Sequence, residues 1–113
     1  MGELVDKINS LTAQIYKEMF GKGPKRVRSA VNQDILVIRV ERAQNTIFRH
    51  LASSDKGQEL LKSLRRELFN VFEEYAKKRY EEVVRKKVKE IYYDAQKLDR
   101  ELVLTVIFEE NIL

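Results

Sequence analysis

The sequence predicts an α+β domain in which two helix-plus-β-hairpin units form one four-stranded antiparallel sheet with helices on one face. Each unit begins with apolar residues at helical spacing and continues with two short β-type runs joined by a polar connection. In each hairpin the first run is alternating and basic, whereas the second is nearly all apolar and ends at Glu41 or Glu109. The repeated order favours an αββ unit followed by an ααββ unit.

The first helix is predicted from a stripe of apolar residues spaced three or four apart. The stripe consists of Leu4, Ile8, Leu11, Ile15 and Met19. This spacing puts all five on one face of a helix of about 3.6 residues per turn, running from about Glu3 to Phe20. Gly21 supplies a left-handed stop, and Pro24 follows it.

The first hairpin is predicted at Arg26–Val31 and Ile35–Glu41, joined by the polar connection Asn32-Gln33-Asp34. The continuous apolar character of the second strand favours a central position, with both of its faces at least partly covered.

A short helix from about Gln44 to Ala52 follows, and Ser53–Gly57 is typical of a turn with capping residues. A long amphipathic helix comes next, and nothing in the sequence stops it before about Arg85. From Gly57 onward such a helix would span roughly 40 Å. Either it breaks near Arg79, or its end projects and takes part in an assembly.

The second hairpin is predicted at Lys87–Tyr93 and Leu102–Phe108, joined by the polar connection Asp94–Arg100. Four strands with helices on one face leave the other face without cover. We therefore expect a homo-oligomer, most simply a dimer.

Composition limits the classes of function. The chain has 113 residues, enough for one domain spanning residues 1–113, and it contains no cysteine and one histidine. Disulfides, thiol catalysis and cysteine-ligated metal sites are thereby excluded, and we expect no metal site and no cofactor. No apolar run is long enough for a transmembrane segment, and acidic residues stand where a signal peptide would be basic. The expected location is the cytoplasm.

Two basic clusters stand out against a mild net charge of +4. The first, residues 22–28, contributes the candidate anion- or partner-binding residues Lys22, Lys25, Arg26 and Arg28. Its Gly-Lys-Gly sequence follows a helix, whereas a phosphate-binding loop precedes one, so a tight helix-to-strand connection is the ordinary alternative. The second cluster, residues 77–89, also suits a helix end, where carbonyl groups favour cations.

No group of residues predicts an active site. Asp34 and Asp94 occupy matching places near the hairpin connections, where aspartates commonly bond to backbone amides. His50 has no evident catalytic partner. The tyrosines Tyr75, Tyr80, Tyr92 and Tyr93 suit packing better than RNA stacking, since no aromatic RNA-binding motif accompanies them. An enzyme would require Asp34 and Asp94 to be brought together by the fold.

Several short motifs resemble the MpsC-like family, which is named for a component of a Na⁺-translocating membrane potential-generating system and is also described as a bacterial domain of unknown function. They are Phe20-Gly21-Lys22-Gly23-Pro24, Asp34-Ile35-Leu36-Val37, Gly57-x-Glu59-Leu60, Leu64-Arg65-Arg66-Glu67-Leu68 and Tyr93-Asp94. Their order spans almost the whole chain. The resemblance implies an accessory component linked to a membrane cation or bicarbonate transport system, and it implies no catalytic residues.

The leading hypothesis is therefore a non-enzymatic interaction or regulatory domain that docks on a membrane transport complex, peripheral to the membrane, through residues 22–28. The alternative is a nucleic-acid-binding module that uses the clusters at 22–28 and 77–89.

Overall fold

The computed structural model describes residues 2–42, 46–94 and 100–112. Within these residues, three helices and four strands follow the predicted order, αββ and then ααββ. Their bounds are α1 Gly2–Phe20, β1 Arg26–Asn32, β2 Ile35–Glu41, α2 Thr46–Ala52, α3 Asp55–Val84, β3 Val88–Asp94 and β4 Glu101–Phe108.

The strands form one antiparallel sheet in the order β1-β2-β4-β3. Each predicted hairpin is present, and the two hairpins join through their apolar second strands, β2 and β4. The predicted central position of β2 is confirmed, because β1 and β4 flank it. The prediction that both of its faces are partly covered is wrong, because the helices pack on one face and the residues of the other are exposed. β3 carries an irregularity between Val88 and Glu90, which allows it to bend along β4.

Helices α1 and α3 cover one face of this sheet and bury its core. Ile8 of α1 and Leu36 and Ile38 of β2 are fully buried, as is Val106 of β4. Burial of each such side chain contributes about 1.5–3 kcal/mol. The predicted α+β class, with helices packed on a four-stranded sheet, is therefore confirmed.

The long helix α3 continues through Arg79 without a break and ends at Val84. Arg85 stops it in the left-handed conformation, at φ 64°. The predicted alternative, a projecting end, is also wrong, because Val83 and Val84 pack against the core. Glu81 ties this end to the next strand, since its carboxylate accepts a hydrogen bond from the Val88 amide at 2.7 Å. At about 1.5 Å per residue the helix matches the longest dimension of the molecule, 44 Å.

Most predicted boundaries hold to within a residue, and the start of α3 is the main difference. Ser54 is the N-cap, as a capping residue in this turn predicts, but helix begins already at Asp55 and includes Gly57. The predicted start of the short helix at Gln44 and most of the connection from Asp94 to Arg100 lie outside the described residues.

Candidate interaction site

The candidate residues Lys22, Lys25, Arg26 and Arg28, here called the basic segment, lie where α1 passes into the sheet. Gly21 has a positive φ of 77° and ends α1 as predicted. The backbone amide of Lys25 donates a hydrogen bond to the Glu41 carbonyl at 2.8 Å, which extends the β1–β2 ladder. Two of the cations therefore sit on the connection and two on the edge strand β1, and all four are exposed.

The four residues of the basic segment differ in whether they form an ion pair. Arg28 pairs with Glu41 across the hairpin, with 2.9 Å between Nη2 and Oε1. Lys22, Lys25 and Arg26 form no ion pair with any other residue that the structure describes. Three neighbouring cations are thus available to an anionic partner.

The second basic cluster, residues 77–89, is matched by acids in part, at three of its seven cations. Lys77 lies within 3.5 Å of Glu73 and 3.7 Å of Glu74. Lys86 lies 3.5 Å from Glu110. Arg79 lies 4.0 Å from Glu18. Such pairs lower the local positive potential, although each exposed pair adds little to stability.

The outer surface of the sheet, which faces away from the helices, is here called the open face. Its side chains alternate with those of the core, and the strand register sets them side by side across the four strands. Ile35 is 37% exposed, Val37 40% and Tyr92 55%. The sequence predicts this uncovered face, since its helices cover only one side of a four-stranded sheet.

On the other side of the sheet, two hydrogen bonds join α1 to α3. The hydroxyl groups of Thr12 and Tyr80 lie 2.7 Å apart in the core. Nearer the surface, Tyr75 donates a hydrogen bond to Glu18 at 2.7 Å, and this bond raises the pKa of the Tyr75 hydroxyl. Burial raises the pKa of Tyr80 to about 12, against a smaller lowering by its bond to Thr12.

An apolar groove opens between the two helices above β2 and β4, with a cavity volume of about 80 Å³. Arg65 and Glu73 contribute to its lining. The remaining lining is mainly aliphatic and aromatic, and includes Ile15, Met19, Phe20, Leu68, Phe72 and Leu102. Its size and lining suit an apolar group better than a polar ligand. Sequence periodicity did not reveal it, because each of these residues is typical of a packed core.

Beside this groove, an arginine lies among three aromatic rings. The guanidinium carbon of Arg42 is 4.2 Å from the ring centre of Phe20, 5.0 Å from that of Phe48 and 5.4 Å from that of Tyr16. Its Nε also donates a hydrogen bond to the Tyr16 hydroxyl at 2.7 Å. Arg42 thus joins α1, α2 and the end of β2, a structural role that its place after a strand did not indicate.

The hypothesis that the fold brings Asp34 and Asp94 together is wrong. Asp34 lies beside Phe108, whose amide donates to the Asp34 carbonyl at 2.9 Å. Asp94 pairs with Val103 near the other end of β4. Five residues of extended strand separate these neighbours by roughly 16 Å. His50 is exposed on α2.

Within residues 2–42, 46–94 and 100–112, no helix is both long enough and apolar enough to cross a membrane. Comparison with curated proteins and with solved structures gives no significant match. A family model described as "Na⁺-translocating membrane potential-generating system (MpsC)" matches residues 1–110. This match covers nearly the whole chain and agrees with the motif resemblance, and the chain therefore belongs to the MpsC family.

Proposed function

We propose that this chain is a non-enzymatic accessory domain of a Na⁺-translocating, membrane potential-generating system and acts by protein–protein contact. Membership of the MpsC family links it to such a system. We further propose that the domain is cytoplasmic, associates with the membrane peripherally and acts as a homodimer. Its role is to dock on the membrane-embedded components and to regulate or stabilise them.

The basic segment supports this proposal more than any other surface feature. Lys22, Lys25 and Arg26 are exposed, close in sequence and without an ion pair among the described residues. A local cluster of one sign attracts a surface of the opposite sign and mainly accelerates association. The partner surface would accordingly be acidic, on a loop or domain at the cytoplasmic side of the transport complex.

Affinity capture tests the proposal. Tagged full-length chain is expressed in its native cells, membranes are solubilised in mild detergent, and captured proteins are identified by mass spectrometry. We expect wild-type chain to recover a membrane-embedded transport protein, and the triple variant K22E/K25E/R26E to lose it. The matched control K56E/R66E/K78E changes the same charge at exposed positions of α3 and should retain the partner. Failure of the wild-type chain to recover a membrane protein would overturn the proposal.

Nucleic-acid binding is the alternative that the same segment allows. In the second cluster Lys77, Arg79 and Lys86 have acidic neighbours. The other cations of that cluster are exposed and form no ion pair among the described residues; they are Lys78, Arg85, Lys87 and Lys89. Titration of DNA and RNA with the protein at several salt concentrations separates the two functions. Tight binding that weakens steeply with salt would favour the alternative, whereas no binding at low salt would remove it.

A further inference from the structure

The centre of the open face is apolar and contiguous. Its cross-strand rows are Ile35 beside Ile107, and Ala30, Val37, Thr105 and Tyr92 in register. Directly opposed side chains in a sheet lie about 4.5–5.5 Å apart at Cβ, so these rows form one patch. Contiguous apolar patches of this kind mark interaction surfaces in folded proteins.

Charged side chains border the patch: those of β1 are cations, whereas β3 carries two carboxylates beside the exposed Lys89. Arg26 and Arg28 stand on β1, at one edge of the sheet. Glu90 and Asp94 stand on β3, at the opposite edge. Arg28 and Asp94 lie in the same cross-strand row, so a rotation that superposes the two edges would bring this cation and this carboxylate together.

The rotation that would superpose the two edges is a two-fold axis that runs along the strands, between β2 and β4. Two copies related in this way stack face to face, with β1 of one copy over β3 of the other and β2 over β4. Arg28 then faces the carboxylate of Asp94, Ile35 faces Ile107, and Val37 faces Thr105. Packed sheets lie about 10 Å apart, a distance that such side chains fill.

The inner charges of the open face fit this arrangement. Glu41 and Glu101, which approach their counterparts across the axis, are each already paired within the chain, to Arg28 and to Arg39 respectively. No carboxylate of this central group enters the interface without a neighbouring cation.

We propose that the open face is the homodimer interface, formed by two sheets stacked about a two-fold axis parallel to β2 and β4. The self-complementary division of charge favours a second copy of this chain over a differently charged partner, because a two-fold contact uses the same patch twice. This proposal rests on the dimer proposed above and does not depend on the transport partner.

A competing surface is the exposed side of α3, where Leu60 is 56% and Val71 69% exposed. These two side chains are eleven positions apart on the helix, with the exposed Glu67 between them. They form a broken stripe, whereas the residues of the open face touch across strands. A matched pair of variants, one on each surface, therefore discriminates between the two interfaces.

The experiment measures the dimer dissociation constant of the full chain by sedimentation velocity over the micromolar range. We expect a dimer for wild type and for V71E. For V37E, which buries a carboxylate at the centre of the interface, the constant should rise by about 30-fold or more. Thermal unfolding confirms that each variant is folded, and T105R replaces V37E if that variant unfolds.

Charge reversal tests the position of the axis. The variants are made in an E41Q background, because Arg28 pairs with Glu41 within the chain and R28E alone would place two carboxylates side by side. In that background R28E and D94R should each weaken the dimer, and the double variant R28E/D94R should restore it, because the reversed charges again face each other. A monomeric wild-type chain would overturn the interface and the dimer together. A dimer broken by V71E and kept by V37E and T105R would overturn only the interface, and absence of rescue would overturn the axis. None of these outcomes bears on the capture of a membrane partner, which is measured separately.

Discussion

Gly57 lies directly against the backbone of Leu51, so that a Cβ atom at position 57 would come within 1.8 Å of the Leu51 carbonyl oxygen. Leu51 is near the end of α2, and Gly57 is in the first turn of α3. The sharp corner between the two helices therefore requires a residue without a side chain. This corner places Phe48 of α2 against Leu61 of α3 in a small second core.

Replacement of Gly57 by alanine should destabilise the protein by about 3 kcal/mol, because α2 must move away from α3 to admit the methyl group. In an ordinary helix the same substitution would stabilise by about 1 kcal/mol, so the sign of the change is diagnostic. Urea unfolding followed by circular dichroism measures it. Gly23, where a Cβ atom would have no neighbour within 4 Å, gives the control G23A, which should be nearly neutral. A G57A variant as stable as wild type would contradict the close contact.

The N-cap of α3 should also contribute to the free energy of unfolding, by a smaller amount than the contact at Gly57. The hydroxyl of Ser54 accepts a hydrogen bond from the Gly57 amide at 3.0 Å, which satisfies one of the free donors of the helix. The variant S54A should lose about 1 kcal/mol of the free energy of unfolding. S63A, an exposed position within the same helix, is the control and should be neutral or slightly stabilising. Equal stability of the two variants would argue against the cap.

The sequence predicts those features that depend on local pattern. The alternation of β1, the apolar runs of β2 and β4 and the stop at Gly21 each follow from the preferences of neighbouring residues, and all are observed. The close approach at Gly57 was not predicted, because it depends on the angle between two helices. The polar run Ser53–Gly57, with its glycine, is more typical of a turn.

The candidate site likewise combines features that follow from local sequence with features that depend on how distant elements pack. The position of the basic segment and the presence of an uncovered sheet face follow from the sequence. The rows that join Val37 to Thr105 and Tyr92 depend on the pairing of two hairpins, which a single sequence does not specify. Likewise, the rings around Arg42 come from two different helices, so no spacing along the chain predicts them.

Arg42 should not be replaceable by lysine. A guanidinium group stacks on aromatic rings and donates from a fixed planar geometry, whereas an ammonium group is compact and more strongly hydrated. Because Arg42 is only 7% exposed, we expect R42K to lose about 2 kcal/mol of the free energy of unfolding. Y16F, which removes one hydrogen-bond acceptor but keeps the ring, should lose about 1 kcal/mol. The same substitution at an exposed position, R66K, is the control, and an R42K variant as stable as R66K would show that the rings do not select a guanidinium.

Tyr80 should make the protein sensitive to alkaline pH. Its hydroxyl is buried, and burial raises its pKa in the folded state to about 12, above the value of about 10 for an exposed tyrosine in an unfolded chain. A raised folded pKa means that the folded state holds the proton more tightly. The corresponding stability is therefore complete below pH 10 and is lost as the pH rises towards 12. The loss amounts to roughly 2–3 kcal/mol once both states are ionised.

Comparison of wild type with Y80F isolates this contribution, because the other tyrosines titrate alike in both proteins. At neutral pH, Y80F should be less stable by about 1 kcal/mol, since Thr12 loses one partner but still donates to the Ile8 carbonyl at 2.8 Å. Above pH 10 the difference in the free energy of unfolding should shrink and then reverse. Only the wild type has a phenol at position 80, and this phenol ionises more readily in the unfolded chain than in the folded state. Urea unfolding at a series of pH values measures the crossover. A constant difference between the two proteins up to pH 12 would show that the Tyr80 hydroxyl ionises in the folded state as readily as in the unfolded chain.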